Sequence, residues 1–284
     1  MHSESITSTR KQQGISQLNR QRLLVVHRDL KSPFSVEDAM NVWQMARGQA
    51  QRTLAHLADQ GWLVRVQRGL YATVPLAAAR PDEWRLEPWV VASEVFAPCY
   101  IGGWSACEHW EFTEQVFRSV VVLSAAPNLR SRRPTIQGTD YVVKTIGEDK
   151  LFGGRTVWVG ERRVQVSDPW RTIADILDDP FLGGGIQHVT AVLGEYYHST
   201  HRNDAQLLAY VERLGNRTVY KRLGYLTEAL GVEARDLMET CRKRMSAGYS
   251  RLDPAIAPRG TRRRRWNLQV NANLHLVAEE RLPS

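Results

Sequence analysis

Residues 47–74, RGQAQRTLAHLADQGWLVRVQRGLYATV, decide the fold of the first part of this chain. At about 100° per residue on a helix, Ala46, Thr53, Leu54 and Leu57 fall within about 60° of Ala50, while Gly48, Arg52 and Asp59 lie opposite. One stripe is apolar and its reverse is polar, which predicts a surface helix. Gly61 has the character of a residue just past a helix C-terminus. Trp62, Val64 and Val66 then alternate with Leu63, Arg65 and Gln67 before Gly69 turns the chain into Leu70, Tyr71 and Val74, a pattern that predicts a two-stranded hairpin.

Upstream, Ser35 precedes VEDAMNVW as an N-cap, with Glu37 and Asp38 in the first turn, and Trp43, Gln44 and Met45 supply a short connection. An earlier amphipathic run, Leu18 to Leu30, offers Leu18, Leu23, Leu24, Val26 and Leu30 as the third wall of a small core. Three helices followed by a basic hairpin predict a winged helix-turn-helix over residues 16–76, after a flexible N-terminus at 1–15. In that arrangement a helix side chain such as Gln or Arg can pair with adenine or guanine, and wing arginines reach phosphates or the minor groove. The candidate DNA-contacting residues are Arg47, Gln49, Gln51, Arg52 and His56 on the helix, and Arg65, Gln67 and Arg68 on the hairpin.

Charge follows the same segment. The formal net charge is +8, and residues 1–80 hold 11 Lys+Arg against 5 Asp+Glu, leaving only +2 for the rest. A phosphate-binding surface requires such an excess. With 284 residues, two domains are expected. VPLAAARPDEW (74–84) is rich in Ala and Pro and carries no sustained period, so residues 77–87 read as a linker. Three cysteines, Cys99, Cys107 and Cys241, have no metal-ligand spacing, MHSESITSTR is too polar for a signal peptide, and no apolar run approaches the roughly 18 residues of a membrane helix. A soluble protein of a reducing cytoplasm, not attached to a membrane, is expected.

Residues 88–275 form a second domain of α+β type, before a tail at 276–284. The patterns predict helices at Pro88–Phe96 and over GGWSACEHWEF, and strands at Ser119–Leu123 and Tyr141–Ile146. A hairpin follows at Thr156–Ser167, then a helix capped by Asp168 with Pro169 in its first position. Four further helices are expected at Ile186–His198, Ala205–Leu214, Thr218–Leu230 and Val232–Met245, and a last strand at Arg265–Val270. The whole is a mixed α/β domain with a helical bundle.

Candidate chemistry in this domain is thin. Asp140 with Glu148 and Lys150 could imitate a magnesium nuclease, the alternative reading of the chain as a nucleic-acid-processing enzyme, but the Glu and Lys fall beyond the strand. Asp168, Asp175, Asp178 and Asp179 are better explained by capping and solvation than by a metal. His109, His198 and His201 lack the further ligands that zinc requires. Gly183–Gly185 has no following Lys-Ser or Lys-Thr and reads as a helix start rather than a phosphate loop. Trp84, Trp89, Trp104, Trp110, Trp158 and Trp170 lie in apolar stretches that suit a core better than a base-stacking platform. No catalytic residue, cofactor or metal is expected. Arg262, Arg263, Arg264 and Arg265 read as a solvated loop, with a second nucleic-acid contact as the functional alternative.

In this order and spacing, VQRGLYATVPL (66–76), YIGGWSACEHWEFTEQ (100–115), VSDPWRTIADILDDPFLGGGIQHV (166–189) and YKRLGYLTEALG (220–231) resemble the AbiEi antitoxins of bacterial type IV toxin–antitoxin systems, across roughly residues 20–275. The resemblance implies an N-terminal winged helix that binds inverted repeats in the promoter of its own operon as a repressor, two copies to a site. It further implies a C-terminal domain that counters a nucleotidyltransferase-like toxin without a stable complex. It carries over the location of the DNA-reading positions, not the identity of their side chains.

Overall fold

A computed structural model describes residues 14–75, 78, 83–127, 129 and 132–274. The fold is mixed α and β with several sheets, and it divides into two compact units. The expected N-terminal segment before Gly14, the tail at 276–284 and residues 77 and 79–82 of the expected linker lie outside the described residues.

The first unit contains α1 (Gln17–Asp29), β1 (Phe34–Ser35), α2 (Val36–Trp43), α3 (Arg47–Asp59), β2 (Leu63–Gln67), β3 (Leu70–Thr73) and α4 (Pro88–Val95). Ser35 caps α2 as expected, and reciprocally: its Oγ accepts from Asp38 N at 3.1 Å while its own N donates to Asp38 Oδ2 at 2.7 Å. Gln44, in the left-handed region at φ 52°, stops α2 and turns the chain toward α3. At the other end of α3, Trp62 N donates to Leu57 O and Gly61 N to Ala58 O, with Gly61 at φ 79°. These are the two bonds of a Schellman closure, and only glycine meets that backbone freely.

Ala50, Leu54 and Leu57 are wholly buried against Val26, Phe34, Ala39, Leu63 and Tyr71. Each of the two leucines contributes about 1.5–3 kcal/mol by leaving water. Two expected wall residues are not in this core: Leu18 is 55% and Leu24 60% exposed, and only Leu23 and Val26 of α1 are buried. The apolar run of α1 is wider than the face the other helices cover. Leu63, expected on the polar side of its strand, is also buried. It lies directly after the turn that closes α3, and a β-bulge between Arg65 and Gln67 interrupts strict alternation.

The strands of the first unit run in the order β1-β3-β2, all antiparallel. Ser32 Oγ accepts from Thr73 N at 2.8 Å, and Gly69 O accepts from Val36 N at 3.2 Å, tying the hairpin to the segment that begins α2. The segment Thr135–Thr139, which begins with β6 (Thr135–Ile136), also groups with this unit.

The second unit holds β4 (Cys99–Ile101), α5 (Gly103–His109), β5 (Ser119–Ser124), β7 (Thr139–Thr145), β8 (Gly154–Val159) and β9 (Arg162–Ser167). Its sheet runs β7-β5-β4-β9-β8, with β5/β7 and β4/β9 parallel and the other pairs antiparallel. The mixed sheet was expected; the short central strand β4 was not, because three residues carry too little pattern. Then come α6 (Pro169–Asp178), α7 (Ile186–His198), α8 (Asp204–Leu214), α9 (Thr218–Ala229) and α10 (Arg235–Arg244), close to the expected spans. Asp168 caps α6 through Arg171 N at 2.8 Å. Ile173, Leu177, Val192, Leu193, Val211, Leu223, Leu237 and Trp266 build one core among these helices.

A second small sheet, in the order β10-β12-β11, closes the unit with β10 (Ser250–Arg251), β11 (Thr261–Arg263) and β12 (Leu268–Val270). The last strand is shorter than expected because Arg264–Trp266 form a 3-10 turn, ended by Asn267 at φ 47°.

Candidate nucleic-acid interface

Along α3 the burial pattern divides the helix cleanly. Ala50, Thr53, Leu54, Leu57 and Ala58 face the core, and Arg47, Gly48, Gln49, Gln51, Arg52, Ala55, His56 and Asp59 are exposed. All five helix positions singled out from sequence therefore lie on the outer surface. Gly48, which the helical period already set opposite the apolar stripe, and Ala55, which it did not mark, share it. Glycine carries no side chain and alanine only a methyl, and the Arg52 guanidinium reaches over Gly48, its Nη1 3.6 Å from where a β-carbon would stand.

Arg47 is not a free cation, because it forms an ion pair with Glu37 of α2. Both side chains are more than half exposed, so the pair contributes at most about 1 kcal/mol and a phosphate can replace Glu37. Arg52, His56, Arg65 and Arg68 have no ion pair among the described residues. On the hairpin, Arg65 and Gln67 point outward from β2, and Arg68 with Gly69 makes the two-residue turn, Gly69 at φ 84°. Four donors of planar or forked geometry thus project from one helix and one hairpin of a single compact unit. Such groups pair with base edges and phosphate oxygens.

Residues 21–74 match a family model described as a transcriptional regulator, AbiEi antitoxin. The matched span begins inside α1 and ends one residue after β3, so it takes in α2, α3 and the whole hairpin. No match to the chain is found among curated proteins. The candidate interface therefore coincides with the part of the chain that resembles a regulator.

The remaining candidates sit in the second unit. The four-arginine run is not the loop expected: Arg262 and Arg263 lie in β11, the exposed edge strand, and Arg264 and Arg265 in the following turn. Arg251, Gln269 and Arg262 are register partners across the three strands and share one face of the sheet. The guanidinium of Arg262 lies 5.3 Å from the ring centre of Tyr249, itself 47% exposed. Arg265 is committed elsewhere, to Glu228 at 2.6 Å.

The would-be nuclease residues are separated by the fold. Asp140 is at the start of β7 and Glu148 and Lys150 follow its far end: at about 3.3 Å per residue, five strand steps put Asp140 roughly 17 Å from Thr145, where the strand stops. The four aspartates are all partnered: Asp168 caps α6 and accepts from Tyr210, Asp175 pairs with Arg171, and Asp178 and Asp179 share Lys144. Among the described residues no group of three or more His, Cys, Asp or Glu side chains is arranged to hold a metal. His198 Nδ1 lies 2.8 Å from Gly194 O, and His201 packs edge-on to Trp110 and Phe112. At Gly183–Gly185 the helix start expected from sequence is present, and its first amide is taken: Ile186 N donates to Asp253 Oδ2 at 3.1 Å. Trp104, Trp110 and Trp170 pack in the interior or donate to backbone carbonyls, but Trp158, expected in the core, is 60% exposed with Arg163 over its ring at 4.8 Å. Alternation along the edge strand β8 turns its face to solvent.

Among the described residues no helix is long and apolar enough to cross a membrane.

Proposed function

We propose that this chain is a sequence-specific DNA-binding repressor that autoregulates a toxin–antitoxin operon and acts as its antitoxin. The observation that carries the reading is the coincidence of one surface with one match: Gln49, Gln51, Arg52 and His56 on the outer face of α3, and Arg65, Gln67 and Arg68 on the hairpin, lie within the span that matches the AbiEi regulator model. On this reading the first unit is a winged helix-turn-helix, with α2 and α3 as the helix pair and β2/β3 as the wing. What supports it is the chain order, the αL turn at Gln44 and the basic tip at Arg68.

In mechanism, α3 enters the major groove with its exposed face toward the base edges. Arg52 and the glutamines meet base edges, and Arg65 and Arg68 neutralise phosphates beside the groove. Two copies occupy an inverted repeat in the chain's own promoter, one per half-site. The exposed arginines Arg262, Arg263 and Arg264 supply a second, weaker phosphate contact. The second unit restrains a nucleotidyltransferase-like toxin in the bacterial cytoplasm without forming a stable complex, and the reading gives this chain no catalytic step and no cofactor.

Two substitutions separate base reading from phosphate binding. Arg52→Ala is expected to cost about 1–3 kcal/mol on the promoter site and to relax selectivity there, whereas Arg68→Ala weakens operator and random duplex alike. Fluorescence anisotropy on both duplexes checks the contrast, and an Arg52 variant that binds its operator as tightly as the parent moves base reading elsewhere. Replacing Arg262, Arg263 and Arg264 together with Ser is expected to lower the slope of log affinity against log salt by about 0.9 for each phosphate that is no longer neutralised. An unchanged slope removes these arginines from the interface.

A further inference from the structure

A cavity of about 410 Å³ opens in the second unit where the parallel strands β5 and β7 end. Its apolar walls come from Leu123 and Leu214, and its polar lining includes Lys144, Lys150, Arg171, Asp175 and Asp178. The volume is in the range of small-ligand sites, and the carboxyl ends of parallel strands are where open α/β sheets bind ligands.

The hydrogen bonds of the charged groups do not balance. Asp175 Oδ1 accepts from Arg171 Nε at 2.9 Å and Oδ2 from Tyr100 OH at 2.8 Å. Asp178 Oδ1 accepts from Asn216 Nδ2 at 2.8 Å and Oδ2 from Lys144 Nζ at 2.9 Å. Every carboxylate oxygen in the lining already has a donor. The donors are not all used: Arg171 is 1% exposed, yet its Nη1 has no hydrogen-bond partner. Lys150 makes no ion pair among the described residues. The Arg171 guanidinium also lies over Phe152, its central carbon 3.9 Å from the ring centre, a contact that supplies no hydrogen-bond acceptor in the ring plane to Nη1. A buried cationic donor without an acceptor is costly, so a lining with saturated acceptors and spare cationic N–H groups is suited to an oxyanion.

We propose that this cavity binds a phosphate group, held by Arg171 Nη1 in its depth and Lys150 at its rim. The site is independent of the DNA-contacting surface on α3. Its phosphate comes either from a small phosphorylated molecule or from the 5′ end of a nucleic acid, and the chemistry that holds it is the same.

Calorimetric titration of the full chain tests the site with inorganic phosphate, ribose 5-phosphate against ribose, and a single-stranded oligonucleotide with a 5′-phosphate against the same strand with a 5′-hydroxyl. Saturable binding is expected for inorganic phosphate and for ribose 5-phosphate but not ribose, and tighter binding for the 5′-phosphorylated strand than for its 5′-hydroxyl counterpart; the pair with the larger difference between its members identifies the source. Lys150→Ala is expected to weaken binding about tenfold or more with an unchanged thermal midpoint, in keeping with loss of one charge-assisted bond. Arg171→Lys, checked for native circular dichroism, should weaken it further. Absence of saturable heat with every phosphorylated probe, equal binding of phosphorylated and unphosphorylated members of each pair, or undiminished affinity in Lys150→Ala overturns the proposal. Because each pair differs only in its phosphate, failure here leaves duplex binding by the first unit untouched.

Discussion

Asp175→Ala is expected to destabilise the second unit by about 3–5 kcal/mol, the characteristic cost of leaving a buried ion without its partner. Asp175 is 3% exposed and Arg171 1%, and the carboxylate accepts from both Arg171 Nε and Tyr100 OH. Removing it takes the acceptor from Arg171 Nε and from the Tyr100 hydroxyl, and leaves a buried guanidinium without its counter-charge. Asp178→Ala is the comparison. Its pair with Lys144 is about a quarter exposed on both sides, so solvent takes over much of the missing interaction and the cost is expected to stay below about 2 kcal/mol. Urea unfolding of the two variants checks the order. Equal destabilisation would mean that the Arg171–Asp175 pair is solvated in solution. Burial alone would raise the Asp178 carboxyl, but Lys144, Asn216 and Lys150 outweigh it and hold it below the usual carboxylate range. Its contribution to stability is therefore present at neutral pH and lost as pH falls below the ordinary Asp value of about 4.

Trp266→Ala is the second large effect, at about 3–5 kcal/mol. The ring is 1% exposed, its Nε1 donates to Glu228, and its face lies so close to Gly224 of α9 that a β-carbon at that position would overlap it. The reciprocal change Gly224→Ala forces the ring outward and is expected to cost about 1–3 kcal/mol by overpacking. Because both changes act at one point of packing, the double variant Gly224→Ala with Trp266→Ala should fall short of the sum of the single ones. Thermal unfolding of the parent, the two single variants and the double variant measures the coupling, and strict additivity would show that the ring does not rest on Gly224.

The elements with the strongest local chemistry were legible from sequence. Ser35 with Asp38, Gly61, Gly69, and Asp168 before Pro169 each announce a helix end or turn through a backbone requirement that few residues meet, and each is found doing so. What the sequence hid depended on packing between distant segments. Leu18 and Leu24 fit an apolar stripe by period, but which part of the stripe is covered depends on α2 and α3 packing against α1. Strand β4 is only three residues long, and pairing with β5 and β9, not its own pattern, makes it a strand. Arg262 and Arg263 have no strand-like alternation and become an edge strand through pairing with β12.

The candidate interface was legible for the same local reason as the caps: on a helix whose apolar side is set by Ala50, Leu54 and Leu57, the outward positions follow from geometry. The Arg47–Glu37 pair spans ten residues and two helices and could not be read from spacing. The phosphate cavity was less legible still. By spacing alone Lys150 belongs with Glu148 in a nuclease-like pattern, and only the hydrogen-bond partners of Asp175 and Asp178 reveal that it and Arg171 are left with donors to spare.

A gel-shift titration of the full chain on the duplex immediately upstream of its own reading frame, against a scrambled duplex of equal length at two salt concentrations, tests the central claim most directly. Retention of the promoter duplex at concentrations where the scrambled one runs free, persisting at the higher salt, is the predicted result. Equal binding to both duplexes that vanishes together as salt rises would contradict sequence-specific repression.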